Sequence, residues 1–430
     1  MSEINASIIT IGDELLIGQT IDTNSAFIGQ ELNKAGIWVK RRVAVGDVYN
    51  DIWNALDEEK KYSRLIILTG GLGPTADDIT KPLLCDYFNT RLVRNEAVLA
   101  HIHHLFVNVY KRKVALSEAN IRQADLPENC TVLHNEHGSA AGMWFETENK
   151  DGEKVIVISM PGVPYEMKKI LVNEALPRIT AYFGGDIVIH KVLSTFGMGE
   201  SMVAEKLTTL ESQLPPYIKL AYLPGYGMVK LRLTGRGNDR LKLEAEMNQF
   251  YQQLKDPLKN ITIAENDDTL EIIIGQLLQK QQKKMATAES CTGGYIAHLI
   301  TSLPKSSPHF NGSAVTYNNE AKENILGVNH ETLEAVGAVS EETAIQMVAG
   351  ALDRFHADYA LATTGIMGPA SDNDEKPVGT VWIAAGNRQN VITKQLNLGY
   401  DRQRNIQSTA LQALNLLRKF IIDEGMEGNI

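Results

Sequence analysis

Cysteine is scarce in this 430-residue chain. Cys85, Cys130 and Cys291 stand far apart, which excludes a disulfide framework and a four-cysteine zinc site. Long apolar runs are missing as well. Stretches such as Leu65–Leu68 and Ile272–Ile274 are far too short to cross a bilayer. Residues 1–12 carry no basic segment followed by a long apolar core, so no secretory leader is expected and the cytoplasm is the expected compartment. Positive charge is not in surplus: the chain carries a formal −10, and only residues 173–260 escape being acidic, at +2. That is too little to draw nucleic acid by charge alone. The histidines make no metal motif. In His101-x-His103-His104 the i, i+3 pair lacks a carboxylate partner, so a solvated helix face is expected.

What is present is a globular composition, 43% hydrophobic and 22% charged, on a chain too long for one core. The first 170 residues alternate β-branched runs with helical patterns: strands at Ser7–Ile11, Val39–Val45 and Arg64–Leu68, helices at Ser25–Ala35 and Ile52–Glu59. That rhythm predicts a mostly parallel sheet with helices on both faces, followed by a β-ribbon from Gly142–Thr147 to Lys154–Ser159. A smaller strand–helix–strand–strand–helix unit spans about Val188 to Leu254, and Lys259–Asp268 reads as a linker. The last 160 residues restart an α/β rhythm. Its helices are Leu270–Gln281, Glu341–Phe355 and Gln403–Ile422; its strands are Met285–Ala288, Ala314–Tyr317, Tyr359–Thr363 and Thr380–Ala385.

Chemistry-bearing residues gather at strand ends. Thr69-Gly70-Gly71-Leu72-Gly73-Pro74-Thr75-Ala76-Asp77-Asp78-Ile79-Thr80 follows a buried strand and precedes a helix, where open α/β sheets bind ligands. Its glycines let backbone amides approach an anion. Its paired carboxylates either support a helix N-terminus or hold a divalent ion against a diphosphate. Gly12-Asp13-Glu14, Gly46-Asp47 and Pro161-Gly162-Val163-Pro164-Tyr165-Glu166 close other strands. Each alone is a plain turn or cap. Four such ends on one sheet converge on one edge, and that edge is a candidate site.

In the last third, Ala288-Glu289-Ser290-Cys291-Thr292-Gly293-Gly294 marks a strand-to-helix turn. A serine there either caps the helix or presents a nucleophile beside free amides able to hold an oxyanion. Cys291 has no histidine neighbour and reads as packing. Tyr317-Asn318-Asn319-Glu320-Ala321-Lys322 ends the next strand, so Lys322 leans back to the same sheet edge. Lys322 is either a solvated helix lysine or, if buried, a base able to lose its proton near neutral pH. Thr364-Gly365 lies on a long loop-bearing segment, and Asp401-Arg402-Gln403-Arg404 opens the last helix, where arginine grips a phosphate or pairs on the surface.

Taken in order, these motifs resemble the competence/damage-inducible CinA family along the whole chain. The resemblance implies an α/β architecture: two doubly wound domains, N-terminal molybdopterin-binding-like (1–172) and C-terminal deamidase (259–430), joined by a small α+β KH-like domain (173–258). It implies a bifunctional enzyme of pyridine-nucleotide salvage. The C-terminal domain would convert nicotinamide mononucleotide to nicotinate mononucleotide and ammonia, with Ser290 as nucleophile, Lys322 as base, Tyr317 nearby, and the amides around Thr292, Gly293 and Gly294 holding the oxyanion. The N-terminal domain would hydrolyse ADP-ribose to AMP and ribose 5-phosphate with a divalent metal (cobalt, magnesium or manganese) and potassium. Asp77 or Asp78 would hold the metal, and Asp13, Glu14, Asp47, Gly70, Gly71, Gly73, Thr80 and Glu166 would meet the substrate. The family's Asn-Pro-x-Gly-Thr-Ala-Pro-Gly segment reads Asn135-Glu136-His137-Gly138-Ser139-Ala140-Ala141-Gly142 here, without either proline. The glycine-rich loop between 369 and 376 reads Ala370-Ser371-Asp372-Asn373-Asp374-Glu375.

The middle unit resembles the family's KH-like insert, yet its glycines at 184, 185, 197, 199, 225, 227, 235 and 237 make no Gly-x-x-Gly clamp. A spacer or a dimerisation element is expected there, a homodimer for the whole, and no direct contact with nucleic acid or membrane. Two rival readings are a molybdopterin-binding module and an interaction protein in DNA uptake or repair.

Overall fold

A computed structural model describes residues 4–75, 78–111, 116–184, 187–369 and 376–427. Contacts divide the chain into two compact units, Met1–Ile189 with Gly235–Glu244, and His190–Thr234 with Ala245–Ile430.

The first unit is built on strands β1 (Asn5–Ile11), β2 (Trp38–Val45) and β3 (Leu65–Thr69), the short pair β4 (Leu92–Arg94) and β5 (Asp125–Pro127), then β6 (Thr131–Leu133), β7 (Gly142–Glu148) and β8 (Lys154–Met160). The main sheet runs β2-β1-β3-β8-β7-β6. β1 pairs in parallel with β2 and β3, and β3 with β8, while β7 and β8 form the expected antiparallel ribbon. β3 is Leu-Ile-Ile-Leu-Thr and buried at every position, as a strand covered on both faces must be. Its alternate residues feed two separate cores: Ile66 and Leu68 pack with Ile52, Leu56 and Phe145 on one face, Leu65 and Ile67 with Ile28, Leu32 and Met167 on the other.

The second unit contains the C-terminal sheet and most of a smaller one. β9 (Ile187–Phe196), β10 (Ile218–Pro224), β11 (Met228–Gly237) and β12 (Thr262–Ala264) lie in the order β10-β11-β9-β12. The stretch 259–268, expected to be a linker, therefore contains a strand: Thr262 and Ala264 pair with β9, and Ile263 and Phe196 join the core of the C-terminal sheet. That sheet orders β13 (Met285–Glu289), β14 (Phe310–Val315), β15 (Tyr359–Gly365), β16 (Thr380–Gly386) and β17 (Val391–Asn397) as β14-β13-β15-β16-β17. β13 is parallel to both neighbours, and β16 and β17 continue antiparallel. Helices Leu270–Gln281 and Arg402–Glu427 cover one face; Glu341–Phe355 covers the other with Ala344, Met347, Val348, Ala351 and Leu352. Among the described residues no helix is long and apolar enough to cross a membrane.

Candidate functional sites

Both parallel sheets reverse their winding beside their first strand. β1 lies between β2 and β3, and β13 between β14 and β15. The loops leaving the carboxyl ends there diverge and open a crevice.

In the first unit the crevice collects the ends of β1, β2, β3 and β8. The Asp13 amide donates to the Asp47 carboxylate at 3.1 Å, and the Asp47 amide returns a bond to Asp13 at 3.2 Å, which ties the first two loops together. Gly70 has φ +121°, and a Cβ there would lie 2.2 Å from the Ile11 carbonyl oxygen, so only glycine lets β3 turn out so close to β1. Thr80 is buried and returns its hydroxyl to the Gly70 carbonyl at 3.2 Å. Asp78 turns its carboxylate back into the loop, accepting from the Gly73 amide at 2.7 Å and the Thr75 amide at 2.8 Å. Asp77 lies outside the described residues. Glu166 accepts from Asn135 Nδ2 at 2.6 Å, and Asn135 also donates to the Ala140 carbonyl at 2.8 Å, so the proline-free 135–142 segment is anchored on the expected carboxylate.

Among the described residues no group of three or more histidine, cysteine, aspartate or glutamate side chains could hold a metal ion. Both Asp78 oxygens are taken by the loop's own donors. The edge is a backbone cradle with carboxylates at its margin.

In the second unit Ser290 follows β13 directly and Lys322 sits one turn into the helix Asn319–Leu326, which begins after β14. Lys322 is among the largest fully buried side chains, at 1% exposure. Its Nζ lies 3.1 Å from Ser290 Oγ, 3.0 Å from the Thr316 carbonyl and 3.5 Å from the Asn318 carbonyl. Burial pushes the ammonium below lysine's ordinary 10.5. In the neutral amine, two N–H bonds satisfy the two carbonyls and the lone pair is left for the serine hydroxyl. The geometry therefore holds the base in the orientation proton removal needs.

Ser290 opens onto a cavity of about 570 Å³ whose wall includes Cys291, Tyr317, Asn319, Gly337–Val339, Gly365–Gly368, Lys376 and Arg402. Arg402 donates to the Tyr317 hydroxyl at 2.8 Å and to the Gly368 carbonyl at 2.6 Å, which holds its guanidinium in the wall of the cavity that Ser290 also lines. Lys376 reaches the Val336 and Val339 carbonyls at 2.8 and 3.0 Å and shapes the wall between them. Cys291 belongs to the apolar core, and burial pushes its thiol up to about 12, which leaves it inert beside the serine.

Three sequence expectations need correction here. The Gly294 amide donates to Glu289 at 3.1 Å and the Gly293 amide to the Ser290 carbonyl at 3.2 Å, so neither is available to an oxyanion. Thr292, Gly293 and Gly294 border a different hollow, with His298, Gln403 and Gln407. Arg404 is turned away from the serine and lies over the rings of Tyr400, at 3.8 Å, and Tyr226, at 5.5 Å. Thr364 is buried and donates to the Ala338 carbonyl at 2.6 Å, so it buttresses the wall that Gly365 lines. The sequence reading gave no role to Asn319, the first residue of the helix that carries Lys322, nor to Lys376 or Glu289.

Family models match the chain in three successive stretches. They are described as a probable molybdopterin binding domain over residues 7–181, a damage-inducible protein CinA KH domain over 190–262 and a CinA C-terminal domain over 267–421. A CinA-like protein of Cytophaga hutchinsonii is 47% identical over 418 residues, covering 97% of this chain and 98% of that one. A CinA-like protein of Chloroherpeton thalassium is 38% identical over 421 residues, with 97% and 99% covered. The crystal structure of competence/damage inducible protein CihA from Agrobacterium tumefaciens is 41% identical over 35% of this chain and 92% of that chain, at a TM-score of 0.34.

Proposed function

The chain belongs to the CinA family, and from that premise we propose that its C-terminal domain hydrolyses the carboxamide of nicotinamide mononucleotide. The observation that carries this reading is the buried Lys322 Nζ 3.1 Å from the Oγ of Ser290, which lines an open cavity. Neutral Lys322 takes the hydroxyl proton as Ser290 Oγ bonds to the carboxamide carbon and the carbonyl pair moves onto oxygen. Collapse of that tetrahedral species breaks the C–N bond, and the Lys322 proton leaves with ammonia. Water then attacks the serine ester, returns a proton through Lys322 and frees nicotinate mononucleotide. With the Gly293 and Gly294 amides engaged, the oxyanion donor is sought on the stretch of main chain adjoining Ser290 at Cys291. Arg402, held by Tyr317 and Gly368 in the cavity wall, suits the substrate phosphate.

Product analysis tests the reading. Nicotinate mononucleotide and ammonia should form in equal amounts from nicotinamide mononucleotide. Free nicotinamide with a ribose phosphate would mean that the glycosidic bond is cut instead, and the serine mechanism would fall.

For the N-terminal domain we propose hydrolysis of ADP-ribose at the edge where the ends of β1, β2, β3 and β8 converge. With the Gly70 amide donating to the Met160 carbonyl at 3.1 Å and the Gly73 amide to Asp78, the Gly71 and Leu72 amides are the loop's candidate donors to the diphosphate. The described residues do not supply a metal donor set, so no metal-borne step is derived. Molybdopterin retained by this domain, without turnover of ADP-ribose, would favour a binding role.

A further inference from the structure

Glu289 is completely buried, yet no chemical role has been given to it. It is the last residue of β13 and stands immediately before the nucleophile of the proposed reaction. One carboxylate oxygen accepts from Thr292 Oγ1 at 2.7 Å, the Ile296 amide at 3.0 Å and the Gly294 amide at 3.1 Å. The other accepts from the Ala297 amide at 2.8 Å and, at 3.4 Å, from the hydroxyls of Thr287 and Ser313. A carboxylate ringed by this many donors is an anchor, since a buried donor left without its acceptor is costly.

The placement of those bonds matters more than their number. They seize the first turn of the helix Tyr295–Thr301 and so fix both ends of the loop that carries Ser290. The Glu289 carbonyl also accepts from the Thr316 amide at 2.9 Å, and the Thr316 carbonyl is one of the two that hold Lys322 Nζ. Thr292 Oγ1, already bound to Glu289, lies 2.8 Å from Thr363 Oγ1, and the Ser290 amide donates to the Thr363 carbonyl at 2.9 Å. One residue thus ties β13 to the base side through Thr316 and to the nucleophile side through Thr292 and Thr363.

We infer that Glu289 is a positioning residue that sets Ser290 Oγ against Lys322 Nζ. The kinetic part of this inference rests on the deamidase reading; the geometric part does not.

The test uses the full chain with Glu289→Gln and, as a milder change, Thr292→Val. Two rates are measured: sulfonylation of Ser290 by phenylmethylsulfonyl fluoride, located by peptide mass, and ammonia release from nicotinamide mononucleotide. Melting curves give the folded fraction. Glu289→Gln keeps the volume but replaces one acceptor oxygen by an N–H donor facing other donors. Per folded molecule, sulfonylation and kcat should each fall at least about tenfold with KM within about threefold. Thr292→Val removes two bonds, to Glu289 and to Thr363, and should slow both rates several-fold with the fold intact, which keeps the question open to test if Glu289→Gln does not fold. Wild-type sulfonylation in a folded variant, or a loss no larger than the unfolded fraction, would overturn the inference. A wild-type chain that sulfonylates at Ser290 but releases no ammonia would sink the substrate assignment and leave the Glu289 comparison decisive.

Discussion

At the scale of single residues, the reactive pair is defined by what Lys322 can and cannot do in its pocket. Its base form gains population as pH rises, and burial has moved its proton loss below 10.5, so the rate should climb with pH through a limb lower than a free lysine would give. Lys322→Arg retains the charge on a group that does not deprotonate and should be inactive across the whole profile. A rising limb surviving in that variant would show that another group is the base. Arg402→Met should raise KM for nicotinamide mononucleotide by about ten- to a hundredfold, since a hydrogen bond to a charged group contributes about 1.5–3 kcal/mol. Steady-state kinetics check this, and an unchanged KM would remove Arg402 from the substrate. That Ser290 and Lys322 share one sheet edge was legible from a turn motif and a strand-end helix, whereas the choice of a buried Lys322 over a solvated one came from the family resemblance. The oxyanion donors were not legible, because which amides remain available depends on where the neighbouring Glu289 carboxylate turns.

Elements were legible wherever both faces of a strand had to be covered. β3, buried at all five positions, reads as a strand from its sequence alone. β12 and β17 were missed for opposite reasons. β12 is three residues long and takes its meaning from pairing with β9, and β17 alternates exposed polar residues at a sheet edge, where periodicity resembles a loop's. The Gly70–Thr80 loop shows the same dependence on context. Two adjacent carboxylates suggested a metal; Asp77 lies outside the described residues, and Asp78 closes the loop on Gly73 and Thr75. Asp78→Asn replaces one acceptor by a donor, so hydrogen exchange at the Gly73 and Thr75 amides should quicken by at least about tenfold, the equivalent of 1.4 kcal/mol. Protection equal to wild type would mean that the loop is held by something else.

At the scale of the molecule, each α/β sheet places its candidate chemistry at the carboxyl ends beside its own reversal of winding, and each has its own pair of cores. Changes confined to one crevice should therefore leave the other's activity intact: Ser290→Ala is expected to leave ADP-ribose hydrolysis within about twofold of wild type. A parallel loss of both activities with an unchanged melting curve would reveal coupling. The order of three successive family-like segments was visible in the sequence, and family models match it. The fusion of the middle sheet with the C-terminal core through Phe196 and Ile263 was not visible, because it depends on a strand too short to announce itself. The central claim is that Ser290 and Lys322 act as one unit, and ammonia release from nicotinamide mononucleotide by wild type, Ser290→Ala, Lys322→Met and the double variant tests it most directly. The predicted result is a loss of several orders of magnitude in each single variant and no further loss in the double; near-native release by Ser290→Ala, or single losses that multiply in the double variant, would contradict it.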